Sequence, residues 1–325
     1  MRPPAPRHLA VALSSLLVAA GCAATEPTPG AAAPDGRAAV ETTSTTAVTT
    51  GRPRTVTTLT ETFVDPSRPI APVGTVADPA PERTLPTTIY LPDGEGPGPL
   101  IVFSHGLGGS PQKFTGIHQA WAAAGYVVAA PRFPLTSDAN PDHRTEVGDL
   151  FQQPADISFV LDELLTASAA TTGPLAGRID PERVGAAGLS LGGATTYGLV
   201  MNDCCVDPRV RAAVVMAGAV LITTGGNDTD RGVPVLALHG DTDLALPYSL
   251  GRSAWESLGG PAWLVTLRGG DHAGPFEDFP TPWDDAVAAS TIAFWDAVLG
   301  GEPLVNDELE RIAARSDGLV VVESR

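Results

Sequence analysis

The sequence has few cysteines, few basic side chains and no apolar run long enough to cross a membrane. Its 3 cysteines form no set with histidine at the spacing of zinc ligands, which argues against a metal centre. Lysine and arginine number 20 against 37 aspartates and glutamates, and the net charge of −17 disfavours nucleic acids and anionic lipid headgroups as partners. The apolar run at residues 9–20, about a dozen residues long, is too short to span a bilayer.

The amino terminus predicts export from the cell. The short apolar run follows two arginines, which is the order of a secretory signal peptide. It leads into Ala19–Cys22, which resembles the lipobox of bacterial lipoproteins, where the cysteine is lipidated. We therefore predict a lipoprotein-type signal peptide over 1–21 and an outward-facing membrane lipoprotein held by a lipid on Cys22, its one membrane contact. Because Ala19 stands where the motif most often has leucine, ordinary signal-peptidase cleavage and a secreted protein stay as the alternative.

A tether follows the predicted lipidation site. Residues 22–58 are dominated by alanine, threonine, proline and glycine without apolar periodicity, so they cannot bury enough surface to fold. We predict a disordered linker there and a catalytic domain over 59–300. Residues 301–325 are predicted to be a C-terminal extension that packs on the domain or trails from it. We expect a monomer.

Cys204 and Cys205 are adjacent, and their chemical state is open at this point. In an oxidising compartment they can form a disulfide, but a bridge between neighbouring residues closes a strained ring. We therefore favour the other interpretation, in which one or both are small buried thiols.

From residue 55 onward, short β-rich runs alternate with helical stretches. This pattern is typical of an α/β domain with a mostly parallel central sheet and helices on both faces. We predict about eight strands, the first two being antiparallel edge strands. The predicted strands are Val56–Val64, Thr84–Leu91, Leu100–Phe103, Tyr126–Pro131, Arg183–Gly188, Arg211–Ala217, Val233–His239 and Trp263–Leu267. The predicted helices are His118–Ala124, Asp149–Thr166 with Pro154 in its first turn, Leu191–Met201, Pro282–Leu299 and a short acidic helix at Asn306–Ala314.

The segment Gly188–Gly192 has the pattern Gly-x-Ser-x-Gly and stands between a predicted buried strand and a small-residue helix. A serine placed on a sharp strand-to-helix turn can act as a nucleophile, and the flanking positions must be glycine to avoid clashes with neighbouring backbone. The start of the helix also directs free amides at the reaction centre. The string alone is common, but its context predicts Ser190 as the nucleophile.

A general base and an orienting acid should follow the nucleophile in the order serine, aspartate, histidine, each after a later strand. His272 lies in a glycine-rich loop directly after the last predicted strand, and it is the predicted base. Three other histidines fit the role less well. His105 precedes the nucleophile and is predicted to support a glycine-rich loop, His118 is predicted to lie on the surface, and His239 stands at a strand end.

The acid is predicted to be Asp243. Both Asp241 and Asp243 follow the strand that ends at His239. Asp241 lies in the tight turn that leaves the strand, where a carboxylate commonly caps the turn. Asp243 stands two residues further out and is therefore preferred.

An oxyanion hole needs two backbone amides, and we predict those of Leu191 and Leu107. Gly106 and Gly108, in the loop that carries Leu107, let a substrate carbonyl approach the backbone. Aromatic side chains are candidates for lining the cleft. The candidates are Phe133, Trp255 and Trp283.

Three stretches of this chain resemble the α/β-hydrolase superfamily, within it the branch of dienelactone hydrolases, platelet-activating-factor acetylhydrolases and polyester hydrolases. The stretches are Phe103–Gly109, Gly188–Gly192 and His239–Pro247. The resemblance covers roughly residues 60–300 and implies an α/β-hydrolase fold and a carboxylic-ester hydrolase without metal or cofactor. It also places the acid four residues before Pro247, on Asp243. Dienelactone hydrolases themselves use a cysteine nucleophile, so Ser190 argues against that activity.

We therefore expect a secreted serine hydrolase that cleaves lipid-like, small or polymeric esters through an acyl-enzyme. Many superfamily members carry a large lid between the strands predicted here at 211–217 and 233–239. This chain has no long helical insertion there, so we expect an open cleft. Two other classes stay open, namely a cell-envelope acyltransferase with the same three residues and a binding protein that keeps the fold without its chemistry.

Overall fold

The computed structural model describes residues 53–71, 81–139, 145–222, 224–301 and 305–325, and these contain one nine-stranded sheet with helices against it. The strands are β1 (Val56–Pro69), β2 (Glu82–Pro92), β3 (Gly98–Ser104), β4 (Val127–Pro131), β5 (Ile179–Leu189), β6 (Val210–Met216), β7 (Val235–Gly240), β8 (Ala262–Leu267) and β9 (Val320–Ser324). The helices are α1 (Thr115–Ala124), α2 (Gln153–Ala169), α3 (Leu191–Met201), α4 (Tyr248–Glu256), α5 (Asp284–Val298) and α6 (Val305–Arg315). The predicted signal peptide, Cys22 and most of the predicted linker lie outside the described residues.

The strand order is β1-β2-β4-β3-β5-β6-β7-β8-β9. Neighbours from β4 to β8 pair in parallel, whereas the β1–β2, β2–β4 and β8–β9 pairs are antiparallel. This confirms the predicted mostly parallel sheet, with two corrections. Strand β2 is not at the edge, because it lies between β1 and β4. The segment predicted as a C-terminal extension supplies β9, which makes nine strands in the described chain instead of about eight.

The sheet is covered on both faces by apolar clusters. Leu100 and Val102 of β3 belong to one cluster, and Ile101 and Phe103 belong to the other, because successive side chains of a strand point to opposite faces. Helix α2 packs on the first face through a row of apolar side chains that includes Ile157, and α5 packs on the second. The predicted arrangement of helices on both faces is confirmed.

Helix α4 is not predicted by the sequence pattern. Its buried residues are Gly251, Ala254 and Trp255, which is too short a pattern to indicate a helix. The helix contains Gly251, which lowers helix propensity by about 1 kcal/mol relative to alanine. Contacts with the neighbouring strand, and not local preference, therefore account for this helix.

The connection between β6 and β7 carries no lid in its described part. Residues 217–222 and 224–234 contain no helix and no strand, apart from one isolated bridge between Asn202 and Asn227. In the described residues, no helical insertion therefore follows the carboxyl end of β6. None of the helices in the described residues is long and apolar enough to cross a membrane.

Cys204 and Cys205 form a vicinal disulfide in the turn after α3, so the favoured interpretation of buried thiols was wrong. The turn is held by Asn202, whose side-chain oxygen accepts the Cys204 amide at 3.0 Å. The Asn202 amide group donates to the Ile222 carbonyl oxygen at 2.8 Å, in the connection between β6 and β7. The bridged turn is therefore fastened to that connection.

A buried ion-pair network joins β2 to α2. Arg83 is 1 % exposed and donates to both oxygens of Asp156, at 2.5 and 2.6 Å. It also donates to Asp149 at 2.8 Å, in the short 3₁₀ turn Val147–Phe151 that precedes α2. The two carboxylates pair the buried Arg83 charge, and Asp156 lies in the first turn of α2, which begins four residues later than predicted. Pro154 stands in the first turn of α2, as predicted.

His118 is buried, which contradicts its predicted place on the surface. Its side chain is fully enclosed among aromatic rings, the nearest being Phe103 with ring centroids 4.5 Å apart. Neither ring nitrogen has a hydrogen-bond partner. Burial lowers the pKa of His118 to about 3, so this histidine is neutral in the folded protein at neutral pH.

In the variant His118→Phe, the free energy of unfolding is expected to fall less between pH 7 and pH 5 than in the wild-type protein. An unfolded histidine binds a proton below about pH 6.5, whereas folded His118 stays neutral down to about pH 3. Stability is therefore fully present above pH 6.5 and is lost as the pH falls towards 3, with a loss of about 2 kcal/mol by pH 5 from this group. Urea unfolding at pH 7 and pH 5 measures the difference. An unchanged pH 7 to pH 5 difference in His118→Phe would contradict the assignment.

Candidate active site

The turn that joins β5 to α3 holds Ser190 in a strained conformation, with φ 57° and ψ −115°. Such a conformation costs on the order of 1–3 kcal/mol and persists only where the surroundings enforce it. Here a Cβ atom on Gly188 would lie 2.3 Å from the Gly192 carbonyl oxygen, and one on Gly192 would lie 1.9 Å from the Ser104 carbonyl oxygen. Both positions therefore require glycine, for the steric reason that the sequence pattern predicts.

The structure brings the predicted nucleophile, base and acid together. His272 Nε2 lies 2.8 Å from Ser190 Oγ, and His272 Nδ1 lies 2.6 Å from Asp243 Oδ2. The three residues follow β5, β7 and β8, whose carboxyl ends lie at one edge of the parallel sheet. In this arrangement Nδ1–H donates to the carboxylate, which leaves Nε2 free to accept the serine proton.

The Asp243 carboxylate is enclosed by donors. Its side chain has no exposed surface, and its Oδ1 accepts the amides of Ala245 and Leu246 at 2.9 and 2.8 Å. The rival acid, Asp241, accepts the Gly269 amide at 2.7 Å, and in the described part of the chain it makes no hydrogen bond with His272. Asp241 therefore caps the turn, and Asp243 orients the imidazole.

The two predicted oxyanion donors have free amides. In the described chain neither Leu191 nor Leu107 donates its backbone N–H to another residue. The next two amides of the loop are occupied, since Gly108 donates to Thr136 at 2.7 Å and Gly109 donates back into the loop at 3.0 Å. Gly108 has φ 68°, a left-handed conformation that suits glycine. Both predicted amides are therefore free to donate to a developing oxyanion, and their role stays a prediction.

His105 supports the loop that faces the nucleophile, as predicted. A Cβ atom on Gly106 would lie 3.3 Å from Ser190 Cβ, so this loop lies directly against the serine. His105 is fully buried, donates from Nδ1 to the Gly106 carbonyl oxygen at 2.8 Å, and accepts the Phe133 amide at Nε2 at 3.1 Å. Burial lowers the pKa of His105 to about 4, which keeps the ring in the neutral form that this pair of bonds requires.

Two of the three aromatic residues predicted to line the cleft, Phe133 and Trp255, are buried in the core. Phe133 is completely buried in the core, with its ring centroid 5.0 Å from that of His105. Trp255 is 6 % exposed, belongs to the same core cluster, and lies beneath the guanidinium groups of Arg252 and Arg325. Both assignments are corrected, because aromatic side chains near a strand end pack into the core more readily than they line a cleft. Trp283 is half-buried and packs on the core as well.

One residue of the site is missed by the sequence interpretation. His239, at the end of β7, is buried and lies 3.1 Å from Asp243 Oδ2 through its Nε2 atom. The sequence signal for this contact is the spacing of four residues between His239 and Asp243. At that spacing, a side chain at the end of a strand can contact a side chain in the loop that follows the strand. Among the described residues, no three histidine, cysteine, aspartate or glutamate side chains cluster closely enough to hold a metal ion.

The sheet order, the strained serine turn and the order of the three side chains define an α/β-hydrolase. The model of the dienelactone hydrolase family matches residues 85–258, a stretch that contains Ser190 and Asp243. The chain therefore belongs to the dienelactone hydrolase family, and the resemblance drawn from the sequence is confirmed. It is a carboxylic ester hydrolase.

A solved structure with the same fold is the ferulic acid esterase from Streptomyces cinnamoneus. The two structures superimpose with a TM-score of 0.64 and 22 % sequence identity, over 85 % of this chain and 98 % of that chain. At this identity the likeness shows the fold alone. No curated protein sequence matches the chain.

The variant Gly192→Ala is expected to lose about a hundredfold in kcat or more. The new Cβ would lie 1.9 Å from the Ser104 carbonyl oxygen, so the serine turn must move by about 1 Å, a displacement that commonly costs about that factor. The matched control is Gly177→Ala, where φ is 69° and no atom lies within 4 Å of the added Cβ. The control should lose about 1 kcal/mol of stability and keep its kcat. Equal rates in both variants would contradict the steric argument.

Proposed function

We propose that this ester hydrolase works through an acyl-enzyme on Ser190. The observation that carries the proposal is the continuous hydrogen-bond chain from Ser190 Oγ through both nitrogens of His272 to the buried Asp243 carboxylate. A serine hydroxyl is a poor nucleophile at neutral pH. A base at hydrogen-bond distance activates it by accepting the hydroxyl proton.

In the first step His272 Nε2 accepts the Ser190 proton while Oγ attacks the ester carbonyl carbon. The negative charge that develops on the carbonyl oxygen is stabilised by the amides of Leu191 and Leu107. His272 then donates the proton to the leaving alcohol as the acyl–oxygen bond breaks. His272 Nε2 then takes a proton from water as the water oxygen attacks the acyl carbon. The bond from that carbon to Ser190 Oγ breaks, His272 returns the proton to Oγ, and the acid leaves.

We propose uncharged esters with apolar parts as the substrates, of small, lipid-like or polymeric size. Ser190 lies at the edge of the sheet formed by the carboxyl ends of the parallel strands. Most of the exposed large apolar side chains in the described chain belong to the connections that follow β3, β4, β6, β7 and β8 at this edge. They are Leu107, Val147, Phe151, Leu221, Leu244 and Phe279, with Leu244 92 % and Phe279 63 % exposed. Exposed apolar groups in the connections that leave this edge favour apolar ligands, and the net charge of −17 disfavours anionic ones.

The variants Ser190→Ala and Asp243→Asn are expected to lose about 10⁴-fold or more in kcat for nitrophenyl esters. The first removes the nucleophile, and the second leaves His272 without its anionic partner. A fluorophosphonate probe should label the wild-type protein and not Ser190→Ala. The substrate panel runs from acetate to long-chain nitrophenyl esters, methyl ferulate and a polyester film, because the structural neighbour is named as a ferulic acid esterase.

Asp241→Asn is the matched control for Asp243→Asn, since it removes the neighbouring carboxylate that caps the turn. It should keep kcat near the wild-type value. If Ser190→Ala retained wild-type turnover, the acyl-enzyme proposal would be wrong. Product analysis with added alcohols distinguishes hydrolysis from acyl transfer, because a transferase would return a new ester instead of the free acid.

We also propose that the protein is exported and held at the membrane by a lipid on Cys22. The apolar run at residues 9–20 and the motif Ala19–Cys22 support this proposal. The variant Cys22→Ser should leave the membrane fraction or stay as an unprocessed precursor, and it should lose incorporation of labelled fatty acid. If wild-type protein incorporates no label and is found in the medium, ordinary secretion is correct instead.

A further inference from the structure

One nitrogen of the His239 ring, Nε2, faces two polar atoms. Its Nε2 atom lies 3.1 Å from Asp243 Oδ2 and 2.9 Å from the Leu246 carbonyl oxygen. Both neighbours are acceptors, so the proton of the neutral ring must be on Nε2. The side chain is 2 % exposed, and burial lowers the pKa of His239. His239 is therefore a neutral donor aimed at the carboxylate that binds His272.

The other side of the ring is fixed by helix α4. A Cβ atom on Gly251 would lie 2.1 Å from His239 Nδ1, so the helix backbone lies directly against this nitrogen. The Tyr248 ring stands edge-on to the imidazole, with centroids 5.8 Å apart. The Tyr248 hydroxyl is itself fixed by Thr266 of β8 at 2.6 Å. The imidazole thus has one position available, in which Nε2–H faces Asp243.

The contact matters because of what the Asp243 carboxylate must do. Oδ1 is saturated by two backbone amides, and Oδ2 receives both His272 Nδ1 and His239 Nε2. Without His239, one lone pair of a fully buried charged oxygen would have no donor, which is a costly state. Rotation of the carboxylate or entry of water would relieve it, and either would disturb the 2.6 Å bond to His272.

We propose that His239 is a positioning residue for ester hydrolysis, whose Nε2–H holds the Asp243 carboxylate so that Oδ2 faces His272 Nδ1. It touches no reacting atom and acts through Asp243. The inference rests on the proposed function, because it concerns the same three side chains.

The test compares His239→Leu with His239→Gln. Both variants lose the ring and its contact with Tyr248, and the two new side chains have similar size. The glutamine side-chain amide places an N–H near the original Nε2 position, whereas leucine has no donor. Leucine should therefore cost more stability than glutamine, because it leaves Asp243 Oδ2 without that donor, and only leucine should lower kcat per competent site, by about tenfold to a hundredfold. Glutamine should keep kcat within about threefold of wild type, and KM should change little in both because residue 239 lies beneath the site.

Each rate is divided by the number of competent sites, counted from the burst of nitrophenol or from fluorophosphonate labelling. This removes any difference in the folded fraction. If His239→Leu does not fold, His239→Asn replaces it, because its shorter amide remains polar but its N–H stops short of Asp243. Asparagine should then be slow where glutamine is fast.

A second variant tests the same contact from helix α4. Gly251→Ala does not touch the three side chains, yet its Cβ would displace the His239 ring. It should lower kcat in the wild-type background and have little further effect in the His239→Leu background, since no donor is left to displace.

Leucine and glutamine variants that are equally slow per competent site would overturn the inference, because shape and not the donor would then matter. Wild-type kcat in His239→Leu would overturn it as well. Both results leave the proposed function standing as long as Ser190→Ala is inactive. Retained turnover in Ser190→Ala would instead refute the proposed function.

Discussion

The chemistry of this protein depends on one close approach of backbone to backbone, where the start of α3 meets the end of β3. The space between Gly192 and the Ser104 carbonyl oxygen is too small for any side chain, since a Cβ would lie 1.9 Å from that oxygen. This contact holds Ser190 at φ 57° and leaves the Leu191 amide without an acceptor. The surrounding packing therefore maintains the strained conformation of Ser190.

The parallel order of the central strands supplies the remaining groups. Because β3, β5, β7 and β8 end at the same edge, loops far apart in the chain bring Leu107, Asp243 and His272 around Ser190. Buried polar side chains hold these groups: His105 is bonded to the Gly106 carbonyl oxygen, and His239 is bonded to the Asp243 carboxylate. Both rings are neutral and each has one tautomer that satisfies its neighbours. The hydrogen bonds of His105 and His239 thus restrict the movement of the loop and the carboxylate that they contact.

Sequence interpretation succeeded where a local rule applies. The glycines around Ser190, the continuous apolar strands and the helix Leu191–Met201 are each dictated by steric or periodic constraints within a few residues. It failed where burial depends on distant elements. His118 lies in an aromatic cluster built from β2, β3 and α1, and Gly251 of α4 packs directly against His239 of β7. Such contacts join residues far apart in the sequence and produce no periodic pattern in it.

The sequence by itself determined the fold class, the serine turn and the candidate base and acid, because turn sterics, strand periodicity and the order of residues along the chain are local properties. Only the tertiary structure decided that Phe133 and Trp255 are core residues, that the last strand closes the sheet, and that His239 is bonded to Asp243. Those outcomes depend on which side chains are packed against each other across the sheet. That information arises from the arrangement of the strands and is absent from any single stretch of residues.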